Sequence, residues 1–385
     1  MYRILLVCDS LSIGGAERHV IGLAAALRRR GHDVTMACSI DGPLGHRLAD
    51  SGIALHALAD RLVKRRASIS YARLLDRLIR GRRFDLVHAH MHASAVAAAV
   101  ISARRNVPLV ITEHSEASWR DERARQTSRS TYRRAEQVIA VSSAIARRLK
   151  NEDFVPAGRV AVIRNALPPV EETREWHHPL IGPSLSGEPL IGTVARLVPE
   201  KGIACFLDAA AFVSRALPRA RFVIVGDGPL RGELLASAAK LGLASRVHFL
   251  GARLDGMRLI AELDVLAIPS LSNEGTPLVT LEALSAGVPV VASAVGGIPE
   301  QVKGFERVTL VRPGDAGALG RALIEIAKVP RRKSPSTGHP RAIELLPGHE
   351  AMVRETEAVY ARACARSWHV PATASVAVRG RWLAR

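Results

Sequence analysis

The sequence is poor in aromatic residues and has no long apolar run. Phe, Trp and Tyr make up 4% of its 385 residues, and it contains no recognisable nucleic-acid-binding module, so we do not expect nucleic acid as a partner. The alanine-rich run 93–103 is too short to cross a bilayer. Residues 1–8 form an apolar segment of strand length that ends at Asp9, so we do not expect a signal peptide.

Cysteine is also scarce, with four residues far apart in the chain: Cys8, Cys38, Cys205 and Cys364. Most of them lie in apolar runs, which favours buried free thiols over disulfides. This use of cysteine is typical of a reducing compartment. We therefore predict a cytoplasmic protein, whose contact with a membrane would have to be peripheral.

Positive charge, in contrast, is in excess. The formal net charge is +18 and the sequence pI is about 10.9; residues 1–170 contain 28 Lys and Arg against 15 Asp and Glu. Segment 61–83 carries nine of these cations on a predicted amphipathic helix. Such a surface suits an anionic ligand, an anionic acceptor or an anionic membrane.

The alternation of short apolar runs with helical patterns predicts an α/β protein with two doubly wound parallel sheets. A chain of this length and apolar content should form two domains. The predicted strands are 3–8, 34–39, 53–58, 86–90, 109–112, 138–141 and 160–163, then 190–195, 221–225, 247–250, 265–269, 288–295 and 308–311.

The same patterns suggest domain boundaries. We expect one Rossmann-like domain over 1–170, a linker over 171–188 that is rich in Pro, Gly and charge, and a second domain over 189–346. An irregular insertion lies at 330–347, a last helix at 347–366, and a basic tail at 367–385.

The stretch 264–300 organises the second domain, because it reads as strand, loop, helix and strand. Thr276 is predicted as the N-cap of the helix and Pro277 as its first residue, and Gly287 ends it. A helix N-terminus offers free N–H groups and partial positive charge, which suits a phosphate.

Two carboxylates flank this helix N-terminus, Glu274 in the loop and Glu282 in the second helical turn. Carboxylates would repel a phosphate, so we interpret them as acceptors for neutral hydroxyl groups. The alternative is an exposed loop glutamate and an ordinary helical glutamate.

Further candidates follow other strands. Arg196 and Lys201 flank a turn before a helix and could clamp a diphosphate. Gly14 and Gly15 would let the backbone approach a ligand after the first strand. His114 follows the fifth strand, where a neutral imidazole could bind a hydroxyl group. Each of these has an ordinary surface or turn interpretation as well.

His88, His90 and His92 alternate along one strand end. Alternating histidines need not converge on one point, so we expect one or two of them to line the cleft, and we expect no metal. The glycines at 226–232 do not complete a dinucleotide fingerprint, so NAD is not expected either.

Taken together, these motifs resemble those of glycosyltransferase family 4, whose members have the GT-B fold of two facing Rossmann-like domains. The similar motifs are GGAER, TEHS, VARLVPEKG, VGDGPLRGEL and, most specifically, EGTPLVTLEALSAGVPVVASAVGGIPE. The similarity covers about residues 1–328 and the last helix. It departs from the common Asn-Gly-hydrophobic-Asp run, because Asn165 is followed by Ala166, Leu167 and Pro168.

The resemblance implies roles for the candidates in donor binding. Glu274 would contact the donor sugar and Glu282 the ribose of the nucleotide. Arg196 and Lys201 would hold the diphosphate, helped by the backbone N–H groups of Leu278 and Val279.

From the first domain, the resemblance places the loop of Gly14 and Gly15 at the diphosphate and His114 near the transferred sugar. The residues expected to be catalytic are therefore His114, Glu274, Arg196 and Lys201.

The implied reaction is the transfer of a sugar from a uridine- or guanosine-diphosphate donor to a hydroxyl acceptor, with retained anomeric configuration and without metal or cofactor. The acceptor would be lipid-linked or phosphorylated, as in polysaccharide assembly. The alternatives are a nucleotide-sugar epimerase or hydrolase of similar fold, and a non-catalytic nucleotide-binding protein that recruits partners to a membrane.

Overall fold

The chain forms two parallel β-sheets of seven and six strands, packed with helices, in a computed structural model. The structure describes residues 1–65, 67–168, 188–329 and 346–367. Most of the predicted linker 171–188, most of the insertion 330–347 and the tail from 368 onwards lie outside these residues. Among the described residues, no helix combines the length and apolar character that crossing a membrane requires.

In the first half, the strands are β1 (Arg3–Ser10), β2 (Asp33–Ile40), β3 (Ala54–Ala57), β4 (Leu86–His90), β5 (Leu109–Glu113), β6 (Gln137–Ala140) and β7 (Val160–Val162). The helices of this half are α1 (Gly15–Arg29), α2 (His46–Asp50), α3 (Ile69–Gly81), α4 (His92–Arg105), α5 (Glu122–Arg133) and α6 (Ser143–Asn151). The order of the strands in the sheet is β3-β2-β1-β4-β5-β6-β7.

In the second half, the strands are β8 (Leu190–Val194), β9 (Arg221–Val225), β10 (Val247–Gly251), β11 (Val265–Ile268), β12 (Val290–Ser293) and β13 (Val308–Val311). The helices are α7 (Ile203–Ala216), α8 (Arg231–Lys240), α9 (Gly256–Glu262), α10 (Leu278–Ser285), α11 (Ile298–Gln301), α12 (Ala316–Ala327) and α13 (His349–Ser367). This sheet has the order β10-β9-β8-β11-β12-β13.

Both orders reverse direction beside the first strand of their sheet, which is the doubly wound pattern that the sequence predicts. The predicted bounds of 86–90, 221–225 and 308–311 are those of β4, β9 and β13. The strand predicted over 288–295 is shorter, because Gly287 turns the chain at a φ of 66° and Pro289 has no N–H for the sheet.

Each sheet has a buried apolar cluster on each face. All four cysteines are free, as the sequence predicts; Cys8 and Cys38 are buried, whereas Cys205 and Cys364 are only partly buried.

Helix α13 follows the second sheet in the chain but packs against the first sheet. The hydroxyl of Tyr360 lies 2.7 Å from Nδ1 of His88 on β4. The carboxylate of Glu357 accepts from Arg30 at 2.8 Å and lies 3.0 Å from Nε2 of His32. A buried aromatic contact and a cluster of polar contacts therefore hold this helix on the first sheet.

A buried ionic network fixes the loop after β5. Glu113, the last residue of β5, accepts from Arg120 at 2.7 Å and from the hydroxyl of Tyr132, and Arg148 lies 3.5 Å away. Burial alone would raise the pKa of Glu113, but the charges of Arg120 and Arg148 outweigh it and hold the pKa at about 2. The loop between Glu113 and Arg120, which carries His114, is therefore tied at both ends.

Replacement of Glu113 should lower the stability of this half of the protein. We expect Glu113→Gln to lower the free energy of unfolding by about 3–5 kcal/mol at pH 7, because it leaves the buried cation of Arg120 without a counter-charge. Urea denaturation measures this effect.

The matched control is Glu122→Gln, which removes an exposed carboxylate beside Arg125 and Arg129 and should cost less than about 1 kcal/mol. The folded-state pKa of Glu113 is depressed from 4.5 to about 2, so its stabilisation is present above about pH 4.5 and is lost towards pH 2. Equal stability of the two variants at pH 7 would contradict the role of the network.

Candidate active site

The two halves meet at the carboxyl ends of their strands, around the loop between β11 and α10. Asn165 Nδ2 donates to the carbonyl of Thr276 at 2.9 Å, and the hydroxyl of Thr276 donates to the carbonyl of Val141 at 3.3 Å. A Cβ atom on Gly275 would lie 2.2 Å from the carbonyl oxygen of His114. The backbones of the two halves therefore touch directly, and position 275 has room only for glycine.

Lys201 and Glu274 form an ion pair in this cleft. Lys201 Nζ donates to Glu274 Oε1 at 2.5 Å, and the hydroxyl of Ser270 donates to the same oxygen at 2.5 Å. Lys201 is placed by a 3₁₀ turn that ends at Gly202, whose φ is 64°. A Cβ atom on Gly202 would lie 2.0 Å from the carbonyl oxygen of Pro269, so glycine lets this turn approach β11.

Glu282 is buried on α10 and forms an ion pair with Arg18, from the first turn of α1 in the other half. Burial raises the pKa of Glu282, and the charge of Arg18 partly opposes this. Arg18 belongs to the GGAER motif, in which only the glycines are predicted to face a ligand. No sequence signal could pair it with Glu282, because the contact exists only when the two sheets face each other.

The start of α10 differs from the sequence prediction by one residue. Pro277 precedes the helix, which begins at Leu278, and no side chain caps it. The prediction of Thr276 as N-cap is wrong, because its hydroxyl bonds to Val141 in the other half instead. Leu278 and Val279 are the first residues of the helix, where N–H groups lack intrahelical acceptors.

Arg196 is exposed at the end of β8 and forms no ion pair with the residues that the structure describes. The pKa of Lys64, from the first half, is lowered by desolvation and then by the charge of Arg196. The charges of Arg196 and Lys64, from opposite halves, therefore act on each other. Burial raises the pKa of Glu17, and both of these charges lower it. This grouping leaves excess positive charge beside the cleft.

The glycines after β1 behave differently from each other. Gly14 precedes α1 in an extended conformation, and a Cβ atom there would lie 2.2 Å from a carboxylate oxygen of Glu17. A Cβ atom on Gly15 would meet no protein atom within 4 Å. Gly15 therefore borders open space at the end of the first sheet.

His114 follows β5, and its carbonyl oxygen faces Gly275. Its Nε2 lies 3.0 Å from Nδ1 of His90, while its own Nδ1 is buried without a partner among the described residues. Burial lowers the pKa of His114 to about 4. At neutral pH the ring is therefore uncharged, with one nitrogen held by His90.

The three alternating histidines do not share one point. His88 is buried between Tyr360 and Thr112, His90 contacts His114, and His92 packs against Trp119. A different group, His19, His90 and His114, has side-chain nitrogens within 4.8 Å of one another. Burial lowers the pKa of each of these three, so they are neutral nitrogen donors.

Two family models match the chain, in the order of its two halves. Residues 13–170 match Glycosyltransferase Family 4, and residues 188–328 match Glycosyl transferases group 1. The chain belongs to glycosyltransferase family 4. Its two facing parallel sheets form the GT-B fold.

Relatives of known activity match most of this glycosyltransferase. UDP-Gal:alpha-D-GlcNAc-diphosphoundecaprenol alpha-1,3-galactosyltransferase of Escherichia coli is 27% identical over 339 residues, which cover 82% of this chain and 85% of that protein. A phosphatidylinositol N-acetylglucosaminyltransferase polypeptide of Arabidopsis thaliana is 26% identical over 374 residues, which cover 94% and 82%.

Among solved structures, the crystal structure of Anabaena HepE in complex with UDP and glucose matches with a TM-score of 0.77. It covers 94% of this chain and 100% of that chain at 23% identity. At this identity the match shows the GT-B fold alone.

A side chain at position 275 should push the two halves of the glycosyltransferase apart. We expect Gly275→Ala to lower the free energy of unfolding by about 1–3 kcal/mol or to open the cleft, because its methyl group would overlap the carbonyl of His114. Denaturation measures the first result, and a larger radius of gyration in small-angle X-ray scattering measures the second.

Gly256→Ala is the matched control, because a Cβ atom there lies 3.9 Å from its nearest neighbour, Val194. It should change neither quantity appreciably. Wild-type stability together with wild-type scattering for Gly275→Ala would show that the backbone contact does not hold the halves together.

Proposed function

We propose that this glycosyltransferase transfers a sugar from a uridine- or guanosine-diphosphate donor to a hydroxyl acceptor with retained anomeric configuration. The observation that carries the proposal is the grouping of Lys201, Glu274 and the N-terminus of α10 in one cleft, facing His114. The donor lies mainly on the second domain, 189–346, and the acceptor on the first, 1–170. Nucleotide-sugar names among the relatives support the donor class.

Glu274 binds hydroxyl groups of the donor sugar, and Glu282 binds the ribose. Both carboxylates bond to cations within the chain itself, Glu274 to Lys201 and Glu282 to Arg18. A buried carboxylate needs such partners. Donor hydroxyls replace part of these contacts, which frees Lys201 and Arg18 for the diphosphate.

The diphosphate is held by Arg196, Lys201 and the N–H groups of Leu278 and Val279, with Gly14 and Gly15 facing it from the first domain. The excess positive charge of Arg196 and Lys64 supports this placement, and so does the open space at Gly15. Fixed charges and dipoles of this kind stabilise the negative charge that develops on a leaving group.

In the reaction, the acceptor hydroxyl attacks from the face that the nucleotide leaves. The departing diphosphate oxygen accepts the hydroxyl proton as the bond from the sugar to the diphosphate breaks and the bond to the acceptor forms. No metal takes part in this route, because Arg196, Lys201 and the helix N-terminus supply the positive charge. The neutral ring of His114 binds a sugar hydroxyl. The anomeric proton signal of the product, measured by NMR, tests the retained configuration.

The acceptor is a lipid-linked or phosphorylated glycan precursor, presented at the inner face of a membrane to a cytoplasmic enzyme. Lipid-linked acceptors in the names of both relatives support this class. Exposed arginines along α3 provide a basic surface for an anionic membrane: Arg73, Arg77 and Arg80. Arg65 is not part of that surface, because it bonds to Glu200 of the second domain at 2.8 Å.

Nucleotide binding provides a direct measurement. Either UDP or GDP should stabilise the wild type by about 2.7 kcal/mol when its concentration is about a hundred times its dissociation constant. The effect should be largely lost in Glu282→Ala, because the ribose then has no carboxylate acceptor. Thermal unfolding with a panel of nucleoside diphosphates measures it.

The matched control for Glu282→Ala is Glu233→Ala, which removes an exposed glutamate of α8. This control should retain the full stabilisation by the nucleotide. If no nucleotide stabilises the wild type at saturation, the proposed donor site is wrong.

Turnover provides a second test. We expect Lys201→Ala to keep the fold and to lose on the order of 10²–10³ in rate, because it removes one charged contact to the leaving diphosphate. Release of nucleoside diphosphate in the presence of acceptor lipid extracts measures the rate.

The matched control is Lys240→Ala, an exposed lysine at the end of α8, which should turn over at the wild-type rate. Wild-type turnover of Lys201→Ala would contradict the assigned role. Equal consumption of donor with and without acceptor would instead favour a hydrolase or an epimerase.

A further inference from the structure

A second cavity lies between the two halves, beside the edge strand β7. Its volume is about 590 Å³, which is in the range of small-ligand pockets. Its walls come from α6 and the segment after β7 in the first half, and from α11 and the residues around it in the second. None of Arg18, Lys201, Glu274 and Glu282 lines it, so it is separate from the proposed donor site.

Positive charge dominates the wall of this cavity. Three cations line it, Arg147, Arg164 and Lys303, against one carboxylate, Glu300. The carboxylate of Glu300 already has partners, because it pairs with Arg164 at 3.0 Å and accepts from the backbone N–H of Ser143 at 2.8 Å. Arg147 and Lys303 are exposed and form no ion pair with other described residues. The cavity therefore favours an anion.

Two amide oxygens of the same wall are buried and have no hydrogen-bond partner among the described residues, Oδ1 of Asn165 and Oε1 of Gln301. The orientation of both amides is fixed, because their nitrogens donate to the carbonyls of Thr276 at 2.9 Å and Pro277 at 3.0 Å. Buried polar atoms nearly always have a partner. Each oxygen therefore has unused acceptor capacity, which a water molecule or the hydroxyl group of a ligand would fill.

We propose that this cavity binds a phosphate ester that carries hydroxyl groups, such as a sugar phosphate or a polyol phosphate. The phosphate contacts Arg147 and Lys303, and the hydroxyl groups donate to Asn165 and Gln301. This binding does not depend on the proposed donor site.

Occupancy of the cavity is linked to the cleft through the same two amides. They hold the carbonyls of Thr276 and Pro277, directly between Glu274 and the first turn of α10. A ligand that bonds to these amides therefore also contacts that loop through them, and any change it makes in the affinity of the loop for its own ligand is reciprocal.

Isothermal titration of the full chain with glucose 6-phosphate and glycerol 3-phosphate tests the site. The comparison compounds are inorganic phosphate and glucose at equal ionic strength. At least one ester should bind more tightly than both, and the double variant Arg147→Ala/Lys303→Ala should weaken its binding at least about tenfold, as expected for the loss of charged hydrogen bonds. Thermal unfolding without ligand should be unchanged, because both side chains are exposed.

The matched control is the double variant Arg28→Ala/Lys240→Ala, which removes two exposed cations elsewhere and should bind the ester like the wild type. No binding of either ester, or binding that survives in Arg147→Ala/Lys303→Ala, overturns the proposal. Equal binding of inorganic phosphate would reduce the site to a general anion contact and overturn it as well.

Two sources of the phosphate ester can be distinguished by incubating the complex with UDP-glucose and GDP-mannose. The ester is a free effector if mass spectrometry finds it unchanged and if its presence shifts the dissociation constant for UDP or GDP. If the ester gains a hexose, the cavity holds the polar end of the acceptor. Both results support the site, and both experiments use the wild type. The calorimetric test of the ester does not require nucleotide binding, so it remains valid if the wild type binds no nucleotide.

Discussion

Direct packing of backbone on backbone across the cleft is the constraint on which the rest of this glycosyltransferase depends. A Cβ atom on Gly297 would lie 1.9 Å from the carbonyl oxygen of Gly275, and one on Gly296 would lie 2.1 Å from that of Glu274. Gly275 in turn meets the carbonyl of His114 in the other half. Three backbone segments are stacked without side chains between them. Backbone contacts therefore set the position of Glu274 relative to His114.

The charged groups of the cleft are arranged around this stack so that neither Glu274 nor Glu282 is buried alone. Both carboxylates face cations, one from its own half and one from the other. Burial of a charge without a partner is costly, and these pairs offset part of that cost. The pair of Arg18 and Glu282 also joins the two halves.

The first half of the chain supports the candidate site through buried polar groups that lie outside it. Glu113 and Arg120 close the loop that carries His114, and Tyr360 of α13 reaches His88 beneath it. Helix α13 thus contacts the strand next to β5. Tyr360 and Glu113 are both buried. A substitution at either position should therefore alter the position of His114 through packing and not through contact with substrate.

The sequence by itself determined the alternation of strands and helices, the two parallel sheets and the residues at their carboxyl ends. Apolar runs bounded by glycine and proline carry that information locally, which is why β4, β9 and β13 agree residue by residue, and why Lys201 and Glu274 could be proposed as site residues. The tertiary structure alone decided which groups meet: Arg18 with Glu282, Thr276 with Val141 rather than as a helix cap, and Asn165 and Gln301 around a second cavity. These contacts join residues far apart in the chain, and their geometry depends on how two sheets face each other, which local patterns do not encode.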